Sequence, residues 1–184
     1  MPSNILVGID LGFRSTGLVS AIPTHTEVGY DILGFECVKT EKASKKLKIY
    51  AAEDDVSQCQ KLYQGVIKFI NDVDPSAIVA ELPTAGAQGA RANRGMGIAT
   101  GVIGAVAAAT GLPFIWVTPT ASKVELCGKK SVSKDEMMDT VRLTWPKVAW
   151  PKVKNRFEHI ADAAAALLVA RNSDVYKFMR GRVE

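Results

Sequence analysis

Ile5-Leu6-Val7-Gly8-Ile9-Asp10-Leu11-Gly12-Phe13-Arg14-Ser15-Thr16-Gly17 is the stretch on which the fold turns. Residues 5–9 are an apolar run that stops at Asp10 and a glycine-bounded turn, the pattern of a short strand buried on both faces. Residues 18–22 and 30–38 supply two more strand-like runs, and Thr26-Glu27-Val28-Gly29 between them predicts an antiparallel continuation. Residues 39–48 are polar and basic and read as an exposed connection. Val56, Cys59, Leu62, Tyr63, Val66, Ile67 and Ile70 then fall on one helix face, which Asp74-Pro75 brings to an end.

Residues 77–82 form another buried strand with an acid, Glu81, at its end, followed by a Gly- and Ala-rich loop to Arg94. The spacing predicts a helix over 96–109 with unusually small side chains, Gly97, Gly101 and Gly104 among alanines. Such glycines weaken a helix but permit close backbone approach, so a tightly packed neighbour is implied, either the sheet or a second copy of the chain. Residues 114–117 read as a fifth strand and 120–126 as a short helix. Ser133 and Glu136 have capping-box spacing and open a helix to about Leu143. Trp145-Pro-Lys-Val and Trp150-Pro-Lys-Val repeat in a segment that cannot be helical, and 158–171 is the last predicted helix. The fold class is α/β, a mixed five-stranded sheet flanked by α-helices. Residues 1–184 are expected to form one domain.

The balance of 47% hydrophobic and 23% charged residues excludes a disordered chain. Nine of the bases, against four acids, fall in residues 119–156, so the net charge of +4 is concentrated there. The three cysteines, Cys37, Cys59 and Cys127, form no C-x-x-C pair, which points to a reducing compartment. No signal or transit peptide is expected, and the cytoplasm, of a host if the source is viral, is the expected location. Residues 95–118 carry no charge, yet Gly111 and Pro113 limit the helix there to about 16 residues, roughly 24 Å and too short for a membrane span.

Two acids, Asp10 and Glu81, end otherwise apolar strands, where a carboxylate is partly desolvated unless something positive sits beside it. His159 and Asp162, at i and i+3, share a helix face and can approach a common point. Together the four make a candidate hard-metal cluster of oxygen ligands with one imidazole. Simpler roles stay open: Asp10 bonded to turn amides, Glu81 paired with a Lys or Arg, His159 as a capping or surface residue.

The opening Gly8-Ile9-Asp10-Leu11-Gly12-Phe13-Arg14-Ser15-Thr16-Gly17 resembles the D-x-G-x-R-x-T-G start of the RuvC Holliday-junction resolvases, of the RNase H-like nuclease superfamily. The order of the remaining features is similar to that family over about residues 4–171. The resemblance implies that Asp10 bridges two Mg²⁺ or Mn²⁺ ions about 4 Å apart, with Glu81, Asp162 and His159 completing their shells. It implies Lys123 and Lys134 beside the cleaved strand as further catalytic groups. The implied activity is metal-dependent nicking of four-way or other branched DNA by a homodimer, whose two-fold symmetry matches the junction's. Arg14, Arg91, Arg94, Lys129, Lys130, Lys152, Lys154 and Arg156 are the candidate phosphate contacts. Where family members can carry an aromatic wedge, three residues past the second acid, this chain has Thr84. The basic loop 145–156, with Trp145 and Trp150, is a candidate replacement wedge or phosphate rail, unless both indoles pack beneath it.

Two other classes share these features. Gly8-Ile9-Asp10-Leu11-Gly12 is close to the phosphate loop of the actin, Hsp70 and sugar-kinase ATPases, but 184 residues supply only one lobe and show no second such loop, so no nucleotide cofactor is expected. A nuclease-fold protein that binds DNA without cutting it is the other, disfavoured because all four candidate ligands are present.

Overall fold

The structure, a computed structural model, describes residues 4–43, 49–82 and 89–181. Three strands, β1 (Leu6–Asp10), β2 (Ser15–Pro23) and β3 (Tyr30–Lys39), are followed by α1 (Ala51–Val73), β4 (Ala77–Glu81), α2 (Ala90–Thr110) and β5 (Phe114–Val117). Four helices follow, α3 (Pro119–Cys127), α4 (Lys134–Thr144), α5 (Lys154–Ala170) and α6 (Asp174–Arg180). The sheet order is β3-β2-β1-β4-β5, antiparallel from β3 to β1 and parallel from β1 to β5. This is the expected mixed five-stranded α/β sheet.

Alternation along the strands divides the core into two layers. Val7, Ile9, Ile78 and Ala80 pack towards α1 and α2, whereas Leu6, Val19, Ala77 and Val79 pack towards α5. By the same alternation Asp10 and Glu81 belong to the α5 face, and they are direct register partners on neighbouring parallel strands. Gly17 is the partner of Asp10 on the other side.

Two glycines set how closely α5 can approach. A Cβ on Gly17 would lie 2.0 Å from the backbone oxygen of His159, and one on Gly8 would lie 2.4 Å from that of Ala163. Neither position has room for a methyl group. The helix answers with its own small residues, Ala163 to Ala166, all fully buried.

Several elements differ from the sequence reading. The first helix begins at Ala51 rather than Val56, and Val56 is 58% exposed because the first turns bury Asp54, Asp55 and Gln58 instead. Thr40 is buried, not part of an exposed connection: its hydroxyl donates to the Phe13 carbonyl at 2.6 Å, while residues 44–48 of that stretch lie outside the described residues. The small-sided helix runs from Ala90, so Arg91 and Arg94 are helical; Gly97, Gly101 and Gly104 face open space and not the sheet. Ser133 caps α4 by accepting the Glu136 amide, but the Glu136 carboxylate turns to Lys129 rather than closing the capping box. The helix bearing His159 starts at Lys154, and α6, capped by Ser173, follows it unforeseen.

The two tryptophans anchor the 145–153 segment. Trp145 is buried and donates its indole N–H to the Tyr30 carbonyl at 3.0 Å, and Trp150 stacks between Phe35 and Phe157. Neither can serve as a wedge while so placed. Among the described residues no helix is long and apolar enough to cross a membrane.

Gly17→Ala is expected to cost at least about 1–3 kcal/mol of unfolding free energy, since the new methyl must displace helix backbone. Gly34→Ala, whose Cβ would meet only the Ser20 hydroxyl at 3.4 Å, is the matched control and should stay within about 0.5 kcal/mol. Urea unfolding of the two variants checks the contrast.

Candidate active site

β1 and β4 deliver Asp10 and Glu81 side by side at the carboxyl end of the parallel part of the sheet. α5, pressed against Gly17, brings His159 over the same point, and its Nδ1–H donates to Asp10 Oδ2 at 2.7 Å. Asp162 lies one turn further along the helix and acts electrostatically on Glu81, as does Asp10. The four residues singled out in the sequence are therefore neighbours.

Too much negative charge is gathered for the cations at hand. Burial, then repulsion from Asp10, pushes the Glu81 carboxyl up to about 8, against a weaker opposing pull from a hydrogen bond with Ser122 and from Lys123. Burial and Asp10 likewise raise Asp162 to about 7, with His159 and Lys123 working the other way. The hydrogen bond with Asp10 raises His159 above its ordinary value despite desolvation. Carboxyls that hold protons near neutrality for want of a counter-charge suit a site made for a divalent cation.

Among the described residues no three His, Cys, Asp or Glu side chains are arranged to hold a metal ion as they stand. The His159–Asp10 bond organises the cluster. Its donor set, three carboxylates and an imidazole with Nε2 left for a ligand, has the chemistry of a hard-metal site. The alternatives for two of the residues do not hold: Glu81 has acids as its main neighbours, and His159 is bonded into the site.

Of the two candidate lysines, Lys123 is half-buried and acts on both Glu81 and Asp162. Lys134 reaches the rim, where it pairs with Glu158. Glu158 and Ser122 were missed in the sequence. Glu158 stands four residues before Asp162 on the same helix face, so spacing alone could have flagged it; nothing in the sequence marks Ser122, which is fully buried beside Glu81.

The candidate phosphate contacts divide. Arg91 and Arg94 meet Asp55, Arg14 is bonded to Gln58, Lys129 pairs with Glu136, and Lys154 with Asp135. Lys130, Lys152 and Arg156 are exposed. Thr84 lies outside the described residues.

No protein-family model matches the chain. A curated crossover junction endodeoxyribonuclease RuvC from Natranaerobius thermophilus is 27% identical over 169 residues, 90% of this chain and 91% of that one. Among solved structures, Thermus thermophilus RuvC in complex with Holliday junction substrate superposes with a TM-score of 0.71 at 23% identity, covering 91% of this chain and 92% of that one. The yeast mitochondrial Holliday junction resolvase superposes with a TM-score of 0.55 at 12% identity, over 98% and 85% of the two chains. The chain is RuvC-like in sequence and has the RNase H-like fold of these proteins.

Proton linkage gives the site a stability signature. Unfolded Glu and Asp ionise near 4.5 and 3.8, whereas folded Glu81 and Asp162 keep their protons to about 8 and 7. The folded chain thus binds more protons than the unfolded one through this window, and stability must fall as pH rises. His159 acts in the same direction, since its raised value stabilises below 6.5 and that contribution is lost as pH passes its folded value. The metal-free Tm should therefore drop between pH 5.5 and 8, Glu81→Gln should flatten the drop, and Mn²⁺ should restore Tm most at pH 8. A flat wild-type profile would contradict the origin assigned to these shifts.

Proposed function

We propose that this chain, acting as a single RNase H-like unit over residues 1–184, is a metal-dependent endonuclease that nicks four-way and related branched DNA by phosphodiester hydrolysis. The observation that carries the proposal is the row formed by Asp10 and Glu81 beneath His159 and Asp162, a carboxylate-rich site under-supplied with positive charge. The similarity to a RuvC endonuclease over nine-tenths of both chains supports the same chemistry.

In this reading Asp10, Glu81, Asp162 and His159 Nε2 hold two divalent cations, Mg²⁺ by preference for oxygen and Mn²⁺ because of the imidazole. Bound there, such ions supply a nucleophilic hydroxide at neutral pH and stabilise the departing 3′ oxygen. Asp10 has two tasks: its carboxylate would help to hold the cations and, through the bond to Nδ1–H, it fixes the tautomer that leaves Nε2 basic. Lys123, whose charge acts on both Glu81 and Asp162, would meet the scissile phosphate, with Lys134 at the rim exchanging Glu158 for DNA.

Two copies are needed to nick two strands of a junction, and the exposed stripe of Gly97, Gly101 and Gly104 on α2 supports pairing there. The exposed Lys130, Lys152 and Arg156 would then contribute counterion release on phosphates.

Nicking of a synthetic four-way junction against linear duplex, with and without Mg²⁺ or Mn²⁺, tests the function. Asp10→Asn, Glu81→Gln and Asp162→Asn should each lower turnover at least about a hundredfold while junction affinity is kept or improved, as lost ligands and not lost phosphate contacts require. His159→Asp should retain activity with a shift towards Mg²⁺, and His159→Ala should lose most of it. Near-normal turnover in Mg²⁺ by any of the three carboxylate variants would remove that residue from the site. A monomer at micromolar concentration that still nicks junctions would refute the dimer.

A further inference from the structure

A cleft of about 580 Å³ opens beside the site, between the Gly12–Ser15 turn and the first turns of α2, with His159 at one end. Its interior is apolar, contributed by Phe13, Ala92, Gly95 and Met96, and its cations are Arg14, Lys42, Arg91 and Arg94. Among the described residues Asp55 is the single acid that lines it.

The cations are held from beneath by two consecutive carboxylates in the first turns of α1. Asp55, only 5% exposed, accepts from Arg94 Nε at 3.0 Å and faces Arg91 Nη2 at 3.7 Å, while both arginine side chains stay more than half exposed. Asp54 accepts the Ala43 amide at 2.9 Å and so pins the segment that carries Lys42. On the opposite wall the Arg14 guanidinium is tied to the buried Gln58 and sits 5.4 Å from the centre of the Phe13 ring. Asp54 also acts on Arg14 and Arg91, but two buried carboxylates cannot neutralise the four cations of the cleft, so they orient the guanidiniums and leave net positive charge facing it.

An apolar slot with cationic walls is the arrangement that takes a nucleotide freed from its pair, because a stacked base pair offers a wall only its edge while a free base offers its face. We propose that this cleft receives one unpaired nucleotide of a DNA strand at the branch, its base against Phe13 and Met96 and its phosphates on Arg91 and Arg94, with Asp55 as the positioning residue for both arginines. The identity of the ligand as DNA rests on the nuclease reading.

The test is fluorescence anisotropy of the full-length chain, without metal, on a labelled single-stranded tetrathymidylate and on the same strand with abasic internal positions. The base-bearing strand should bind about tenfold tighter, the worth of one stacked base. Phe13→Ala and Met96→Ala should each shrink that preference without changing the salt dependence; Met96→Ala keeps the test open if loss of Phe13 from its packing on Gly95 unsettles the fold. Arg91→Gln with Arg94→Gln should lower the slope of log affinity against log salt by about 1.4. Asp55→Asn separates positioning from charge: removing a negative group would by Coulomb attraction alone tighten DNA binding, whereas lost positioning weakens it. Equal affinity for the two strands, a base preference untouched in both apolar variants, or tighter binding by Asp55→Asn would overturn the proposal. Junction nicking by wild-type chain that shows no base preference would refute the slot and leave the nuclease reading standing; a base preference without nicking would do the reverse.

Discussion

The close seating of α5 on the first two strands is the constraint from which the rest follows. With backbone oxygens of His159 and Ala163 where side chains of Gly17 and Gly8 would otherwise be, the helix lies nearer the sheet than any larger residue would allow. That approach brings His159 within hydrogen-bond distance of Asp10 and sets Asp162 in the same field as Glu81. It also explains the run of four buried alanines in a helix that must be covered on nearly every side. Glycines in a central strand weaken it locally, and the compensation here is the contact they permit.

Bringing three carboxyls together in a partly dehydrated place works against the stability of the fold. Burial and mutual repulsion hold Glu81 and Asp162 protonated at pH values where free acids are ionised, and the nearest relief within the chain is the half-buried Lys123 and the raised imidazole of His159. Acids gathered at one end of a sheet whose inward positions are otherwise mostly apolar mark where function is located. The second concentration of unusual burial, Asp54, Asp55 and Gln58 in α1, lies beneath the basic cleft and follows the same logic with the sign reversed.

The strand pattern was legible because each strand announces itself by a short apolar run with clear punctuation, and the acids at two strand ends stood out against it. The face on which they meet follows from alternation once the strands are placed. The i, i+3 spacing of His159 and Asp162 made the helix side of the site readable as well. What the sequence hid were long-range compensations. Nothing local shows that Asp55 would be buried under Arg91 and Arg94, or that Val56 would yield its place on the helix face to acids held by partners far along the chain. The tryptophans left two readings open, and the packed one holds: Trp145 finds its partner at Tyr30, 115 residues away, a pairing that nothing local in the sequence marks.

If these carboxyls and His159 are assembled to hold divalent cations, protons must leave when a cation binds. Titrating Mn²⁺ into the chain at pH 7 by calorimetry, in buffers of different ionisation enthalpy, measures how many protons leave when the metal binds. With Glu81 protonated to about 8 and Asp162 to about 7, binding should expel at least one proton per site, and Glu81→Gln should lower that number. Metal binding with no proton release, or a release unchanged in Glu81→Gln, would place the cation elsewhere and contradict the assignment.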